Sequence, residues 1–375
     1  MHLSILRRPL SVLRPFAAFL LLSLLPLAAR AGGPGTTSAN FLKLGVGPRA
    51  AAMGEAFTGL ADDVNAVAYN PAGLGSLRRN ELAMMHNEYL EGIHHEWGAF
   101  AMPTDRLGTF GAAVSLFYVE PFAAYDENDQ PTGKVGAQDA AYELAYANTF
   151  GEQFHVGAAA KHIRSRLDNH RAQATAYDAG VLYESRWRGL RLGASLLNLG
   201  GSMRFVQDAA PLPRLFKAGA SFTPLRTLRE KHVLTLAGDV TVPSDNDAYV
   251  SLGAEFRTLY ILALRAGYNG SRDTGLGLSL GVGILVNDGD VGRMPSFDLD
   301  YSFSDHGDLS MAHRVGITFR FGQPKVPSWS YPRRVSEPWW NPARPQAPKA
   351  ARERRAAPPP PAPYEDNPEV LKVNP

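Results

Sequence analysis

The amino-acid sequence predicts an all-β chain, a transmembrane antiparallel β-barrel of about fourteen strands around an N-terminal, mostly helical plug. Three observations predict it. Segments of roughly 8–12 residues alternate an apolar, aromatic face with a small or charged one, the pattern of a tilted strand crossing a bilayer. An export leader precedes them. Between leader and strands lies LKLGVGPRAAAMGEAFTGLADDVNAVAYNPAGLGSL, residues 42–77, which carries helix signals instead of alternation.

Residues 1–31 read as a signal peptide. Arg7, Arg8 and Arg14 precede the apolar run 16–27, and Ala29-Arg30-Ala31 supplies the small residues that place cleavage before Gly32. A spanning helix needs roughly 20 apolar residues, so this run is too short to be one. No other stretch is apolar enough, and a mature chain placed in a membrane must then cross it as a closed barrel.

Residues 32–80 form the expected plug. Pro48 opens a helix over 49–61, because proline is pre-organised for the first turn. Asp62 and Asp63 are placed to cap a short run over 64–69, and Asn70-Pro71 stops it, since proline pushes the preceding residue out of the helical region. Gly73 and Gly75 finish the turn. The text GPRAAAMGEAFTGLADDVNAVAYNPAGL closely resembles the N-terminal segment of the PorV/PorQ family, relatives of the FadL-type outer-membrane transport proteins. The resemblance implies a fourteen-stranded barrel with this segment folded inside as a hatch, and Asp62 and Asp63 match the family's plug motif. It is specific over residues 47–74, extends loosely to 322 and does not cover 323–375.

The barrel, 81–322, is read from two-faced segments. Within 139–150 the outward series is Ala140, Tyr142, Leu144, Tyr146 and Phe150, against Asp139, Ala141, Glu143, Ala145, Ala147 and Thr149. The division recurs at Leu234, Leu236, Val240 and Val242 against Thr235, Asp239 and Thr241, at Phe297, Leu299, Tyr301 and Phe303 against Asp298, Asp300 and Ser302, and at Leu276 to Ile284 against Gly275 to Gly283. The expected strands are 82–89, 93–102, 108–118, 139–149, 154–164, 175–185, 190–200, 214–222, 232–242, 248–256, 260–269, 274–286, 295–303 and 311–321. Inward charges of both signs follow: Glu143, Asp178, Lys217, Asp239, Glu255, Arg265, Asp298, Asp300, Arg314 and Arg320. They are expected to pair with one another or with the plug. The final strand, HRVGITFRFG, has the form read by the barrel assembly machinery.

Loop lengths orient the barrel. Connections 119–138, 165–174 and 201–213 exceed the turns 103–107, 150–153 and 186–189, which places the long ones outside and both termini in the periplasm. Aromatic residues near strand ends, Tyr118, Phe150, Tyr260, Tyr268 and Phe303, suit the interface with outer-membrane lipids. The competing architecture is a soluble β-sandwich or propeller. Uniform strand length, the leader and the lack of a blade-sized repeat argue against it.

Composition excludes several functions. There is no cysteine, so disulfides, thiolate metal sites and cysteine nucleophiles are out. The net charge of +2 divides into a basic leader, a basic tail with nine Lys/Arg against five Asp/Glu, and a body near about −6, which argues against nucleic acid as a partner. Gly277-Leu278-Ser279-Leu280-Gly281 fits a hydrolase elbow in text only, because it sits inside unbroken alternation with no helix to follow. His94-His95-Glu96 is better read as a strand-end polar cluster, since neighbours on a strand face opposite ways. The acidic stretch 126–130 lacks full calcium-loop spacing and reads as an exposed turn. No catalytic, cofactor or metal set emerges, and the chain is read as a non-enzyme.

The tail, 323–375, holds half of the prolines and reads as a polyproline or disordered periplasmic segment. Trp329, Trp339 and Trp340 are its candidates for binding a periplasmic partner. Lining the barrel's inner rim is the alternative. Two functions remain. One is passage of a hydrophobic small molecule across the outer membrane of a Gram-negative-type bacterium, gated by the plug, with Met53, Phe57, Leu60, Asp62, Asp63, Asn70 and Pro71 as path candidates and a nonpolar pocket expected between Met53, Phe57, Leu60 and the wall. The other, implied by the resemblance, is a type IX secretion accessory that receives secreted cargo proteins.

Overall fold

Strict alternation obliges a strand to bury one face, and the chain does so by closing a single sheet on itself. The computed structural model describes residues 33–325 apart from 91, 186–188, 228–230, 272–274 and 288–294. Residues 1–32, which hold the expected leader, and 326–375, with Trp329, Trp339 and Trp340, lie outside the described residues.

The strands are β1 (Asn80–Leu90), β2 (Ile93–Pro103), β3 (Thr109–Tyr125), β4 (Pro131–Phe150), β5 (Phe154–Leu167), β6 (His170–Glu184), β7 (Arg191–Gly200), β8 (Ser202–Arg204), β9 (Ala209–Pro211), β10 (Leu215–Arg226), β11 (His232–Pro243), β12 (Tyr249–Thr258), β13 (Leu262–Asn269), β14 (Leu278–Val286), β15 (Ser296–Asp305) and β16 (Met311–Phe321). β8 and β9 pair only with each other, and the other 14 form a closed antiparallel barrel. Closure runs through β16 against β1, from Asn80↔Phe321 to Glu88↔His313. Closure removes the edges of the barrel sheet itself.

The outer wall is apolar: Leu144 is 71% exposed, and Leu236, Val240, Leu252, Leu264, Leu280 and Ile284 are exposed with it. Continuous exposed apolar surface of this kind suits hydrocarbon, not water. All ten inward charges named from the sequence face the interior, and nine of them are buried, Arg320 being half-buried. We call the rim from which the β3–β4 hairpin projects the upper rim, and the rim where β1 begins and β16 ends the lower rim.

Two expectations about connections change. The loop expected at 119–138 is mostly strand, because pairing resumes after a bulge at Val119/Phe122 and continues to Tyr125↔Pro131. Exposure of nearly every side chain there hides the two-faced signal. Likewise β5 and β6 continue to Leu167↔His170, so 165–174 is not a long loop. In the opposite direction, β14 begins at Leu278, since Gly275 and Gly277 take positive φ and the Leu276 N–H is captured by Asp305 Oδ2 at 2.7 Å.

Residues 36–77 run down the inside of the barrel. Near the upper rim the Ser38 N–H donates to Pro211 O at 2.9 Å. The helix α1 (Pro48–Ala52) lies against β13–β15, α2 (Ala66–Tyr69) follows, and the 3-10 turn Pro71–Ser76 lies against β3–β6. The first described residues therefore lie near the upper rim, while the start of β1 and the end of β16 meet at the lower rim. Met53, Phe57, Leu60, Val64, Val67 and Leu74 form one buried cluster with inward Ala83, Ala99, Ala101, Ala113, Ala145, Ala147 and Ala159. Small inward residues make the room. At Gly157 the space is so tight that a Cβ would meet the backbone of Pro71 and Ala72, whereas at outward Gly98 nothing lies within 4 Å.

This contrast yields a test. Gly157→Val is expected to cost about 1–3 kcal/mol through overpacking, lowering the temperature at which the folded band converts in a heat-modifiable gel, while Gly98→Val leaves it unchanged.

Candidate functional site

An irregular segment inside a barrel needs partners for its backbone groups, because buried N–H and C=O groups without them are costly. The wall supplies them from its inward polar residues. Asp239 Oδ2 accepts the N–H groups of Phe57 and Thr58 at 3.0 and 2.8 Å, and Glu81 Oε2 accepts that of Val64 at 2.9 Å. Ser195 donates to Tyr69 O at 2.8 Å, Ser221 to Gly59 O at 3.1 Å and Trp97 Nε1 to Asn65 Oδ1 at 3.0 Å.

Arg49 is the centre of the arrangement. Its guanidinium donates through Nε and Nη2 to both oxygens of Glu255, at 2.8 and 3.0 Å, and through Nη1 to Asp62 at 2.6 Å and Asp63 at 3.0 Å. Arg265 donates to the same Glu255 at 2.7 Å and to Asp300 at 2.6 Å, so the clamp runs from α1 through β12 and β13 to β15. A second link joins Arg320 to Glu81 at 3.3 Å and Asp298 at 2.8 Å. Burial opposes the charge on Arg49, but Asp62 and Glu255 outweigh it and hold the group far above the usual arginine value. Burial likewise raises Asp62, and Arg49 overcomes that and leaves it below the ordinary carboxylate range. For Asp63 burial prevails and the carboxyl is shifted up.

The path candidates fall into two groups. Asp62 and Asp63 are brought together, though not as helix caps: α2 starts at Ala66, Asp63 Oδ1 accepts the Asn65 N–H at 2.8 Å, and Asp62 turns to Arg49. Asn70 donates to Thr58 O and Val181 O at 3.0 Å each, and its Oδ1 accepts the Ala72 N–H, so Asn70 and Pro71 end α2 as expected and also pin it to β6. Met53, Phe57 and Leu60 are packed solid, at 0%, 0% and 3% exposure, and line neither of the cavities described next. The expected helix over 49–61 is also cut short at Ala52. Gly54, Glu55 and Ala61 take positive φ, because ties to Asp239 and the Arg49 clamp fix a path no helix can follow.

The open space lies higher. An upper cleft of about 550 Å³ is lined by Phe41, Lys43, Tyr89, Phe117, Leu215 and Tyr249 among others. Beneath it a cavity of only about 50 Å³ is bounded by Glu55, Tyr69, Trp97, Glu143, Lys161 and Lys217. Phe41, Lys43 and Leu44 line both, as do Leu215 and Tyr249 of the wall, so the constriction lies at this level. Phe41 stacks on Phe117 at 6.3 Å and packs with Ile163, Met203 and Leu212. Lys43 Nζ reaches Asp245 at 2.8 Å, and Asp245 also accepts the Thr37 hydroxyl. In the lower cavity Lys161 pairs with Asp178 at 2.7 Å, and Lys217 stands over the Tyr69 ring at 5.0 Å. Among the described residues no group of three or more metal-ligating side chains occurs. His94 and His95 face opposite sides, His95 buried and bonded to Ser115 at 2.8 Å.

Sequence reasoning missed Arg49, Lys43 and Phe41. For Arg49 a signal existed: one cation in an otherwise apolar stretch, facing a wall with an excess of inward carboxylates.

These features define the class: a closed antiparallel β-barrel of 14 strands with an apolar outer wall, against whose inward residues side chains of residues 46–77 pack. A family model described as an uncharacterised protein family, UPF0164, matches residues 28–179. The UPF0164 protein of Treponema pallidum (strain Nichols) is 28% identical over 246 residues, 54% of this chain and 56% of that relative, so the chain spans about half of the relative's length. The toluene transporter TbuX of Ralstonia pickettii superposes with a TM-score of 0.50 at 13% identity, over 75% of this chain and 98% of that one, which shows a shared fold.

The clamp makes a firm prediction. Arg49→Ala takes from buried Asp63 its arginine partner, leaves Asp62 only the distant Arg191 and leaves Glu255 to Arg265, and is expected to cost about 3–5 kcal/mol. Arg49→Lys should recover little, because an ammonium cannot replace the two-pronged contact with Glu255. Thermal unfolding of the purified barrel, with protease susceptibility of residues 45–79, measures both.

Proposed function

We propose that this chain is an outer-membrane barrel that passes hydrophobic small molecules, with residues 32–80 acting as the plug that gates them. The observation that carries the reading is the placement of the segment: it fills the barrel below an aromatic upper cleft and is held by the Arg49 clamp. A bare polar pore needs no such filling. The cleft offers Phe41, Tyr89, Phe117 and Tyr249 to an apolar solute, and Phe41 to Leu44 close the way below it. The fold shared with a toluene transporter supports the same class of solute. On this reading the upper rim faces outward, residues 1–31 are a removed signal, 323–375 is a periplasmic tail, and β16 is the strand read by the assembly machinery. The resemblance to PorV/PorQ rests on residues 47–74, and nothing in the site's geometry favours a secretion role over transport.

Deletion of residues 47–74 is expected to raise conductance in planar bilayers and to turn selective uptake of a monoaromatic hydrocarbon such as toluene into unselective leakage. Unchanged conductance would mean that the segment does not occlude the barrel. Secreted proteins copurifying in mild detergent, without hydrocarbon uptake by the full-length chain, would replace this reading with the accessory role.

A further inference from the structure

The outer wall is not uniformly apolar. On β5 the inward residues Lys161, Ile163 and Ser165 leave His162, Arg164 and Arg166 facing out, and on β6 inward Ala172 and Ala176 leave Arg171, Gln173 and Tyr177 facing out. Register places Arg164 between Ala140 and Gln173, and Arg166 between Gln138 and Arg171. Arg204 of β8 joins them. Together with Gln138, Tyr142 and Ser202, these arginines line an outward groove of about 660 Å³. A second cleft continues from Gln138 and Arg166 to Lys134.

Four guanidinium groups around one groove repel one another unless an anion comes between them. Among the described residues no ion pair reaches any of the four. Arg164 donates to His162 Nε2 at 3.1 Å and stands over the Tyr142 ring at 6.0 Å, and Arg166 donates to Asp168 O at 3.0 Å, which fixes both stems without neutralising either head. Nearby carboxylates are otherwise engaged. Asp139 turns inward to accept the Ser165 hydroxyl, and Asp168 accepts Asn169 Nδ2 at 2.8 Å.

Position identifies the anion. Tyr142, Leu144, Tyr146, Tyr177 and Val181 form the exposed wall directly below. On neighbouring strands Arg164 and Arg166 stand two and four residues above the Tyr142↔His162 pair, about 7 and 14 Å along the strand. Tyrosine marks the membrane interface, and the next layer outward holds lipid phosphates. We propose that this groove binds the phosphate head of an anionic membrane lipid, its acyl chains lying along Tyr142, Leu144 and Tyr177. Arginine suits the task, since its planar fork pairs with two phosphate oxygens at once. The proposal rests on the membrane-barrel reading.

The test uses the full chain, purified in mild detergent, mixed with phosphatidylcholine vesicles containing phosphatidylglycerol, and analysed by native mass spectrometry for retained lipid. The wild type is expected to retain phosphatidylglycerol in preference to phosphatidylcholine, with apparent affinity falling about five-fold for each arginine neutralised in Arg164→Gln, Arg166→Gln and Arg171→Gln. Arg164→Lys, which keeps the charge and loses the fork, should retain part of the preference. Equal retention of both lipids, or a triple variant that binds like the wild type, overturns the proposal. Displacement by inorganic phosphate at low concentration overturns it in favour of a free-anion site. A dimer in sedimentation that Glu96→Gln or Glu120→Gln dissolves overturns it in favour of a second copy docking those carboxylates there. Heat-modifiable migration of each sample is read alongside: its absence in the wild type defeats the barrel, and its presence in the variants assigns any lost binding to the groove.

Discussion

One guanidinium organises the interior. Arg49 is the point at which the N-terminal segment and the wall share charge: Glu255 of the wall grips it from one side and Asp62 and Asp63 of the segment from the other. A buried ion pair is weak evidence of stability by itself, because desolvation offsets the attraction. Its strength here is specificity. An arginine that must satisfy three carboxylates has one position in the barrel, and the segment on either side of it is placed accordingly.

The rest of the packing follows. With α1 set against β13–β15, Gly54 passes so close to Tyr268 that a side chain on it would strike backbone, and its φ of +64° is one that glycine adopts freely. The chain then reaches Asp239, whose carboxylate takes two consecutive N–H groups as a helix N-terminus would offer them to an anion. Below, Asn70 closes α2 while donating to Thr58 and Val181, so one side chain serves the local turn and the wall together. The upper part, from Thr37 to Leu44, is tied more lightly, through Asp245, Ser38 and the Phe41 stack. On the proposed transport reading, a gating movement would fall at Phe41 to Leu44, with the Arg49 region as its anchor.

The barrel was legible in the sequence because period-two alternation is a direct consequence of a two-sided wall. Strands such as β11 and β15 carry it without interruption, and all ten inward charges followed from it. It fails where both faces meet the same medium: residues 119–137 project beyond the apolar wall, so their pairing left no pattern. The interior was less legible. Local signals in 49–61 favour a helix, and tertiary bonds to Asp239 and Glu255 override them. Met53, Phe57 and Leu60 read as path candidates because they are apolar; they are buried in packing and line neither cavity. Phe41 and Lys43, which do line the open space, sit in a stretch with no periodicity to distinguish them.

The decisive measurement is single-channel conductance of the full-length wild type beside that of Arg49→Ala, both checked for heat-modifiable migration. If Arg49 holds the segment that closes the barrel, the wild type stays closed and the variant conducts. Equal conductance of two folded barrels would contradict the account, since the barrel would then be open or shut for reasons unrelated to where Arg49 holds the segment.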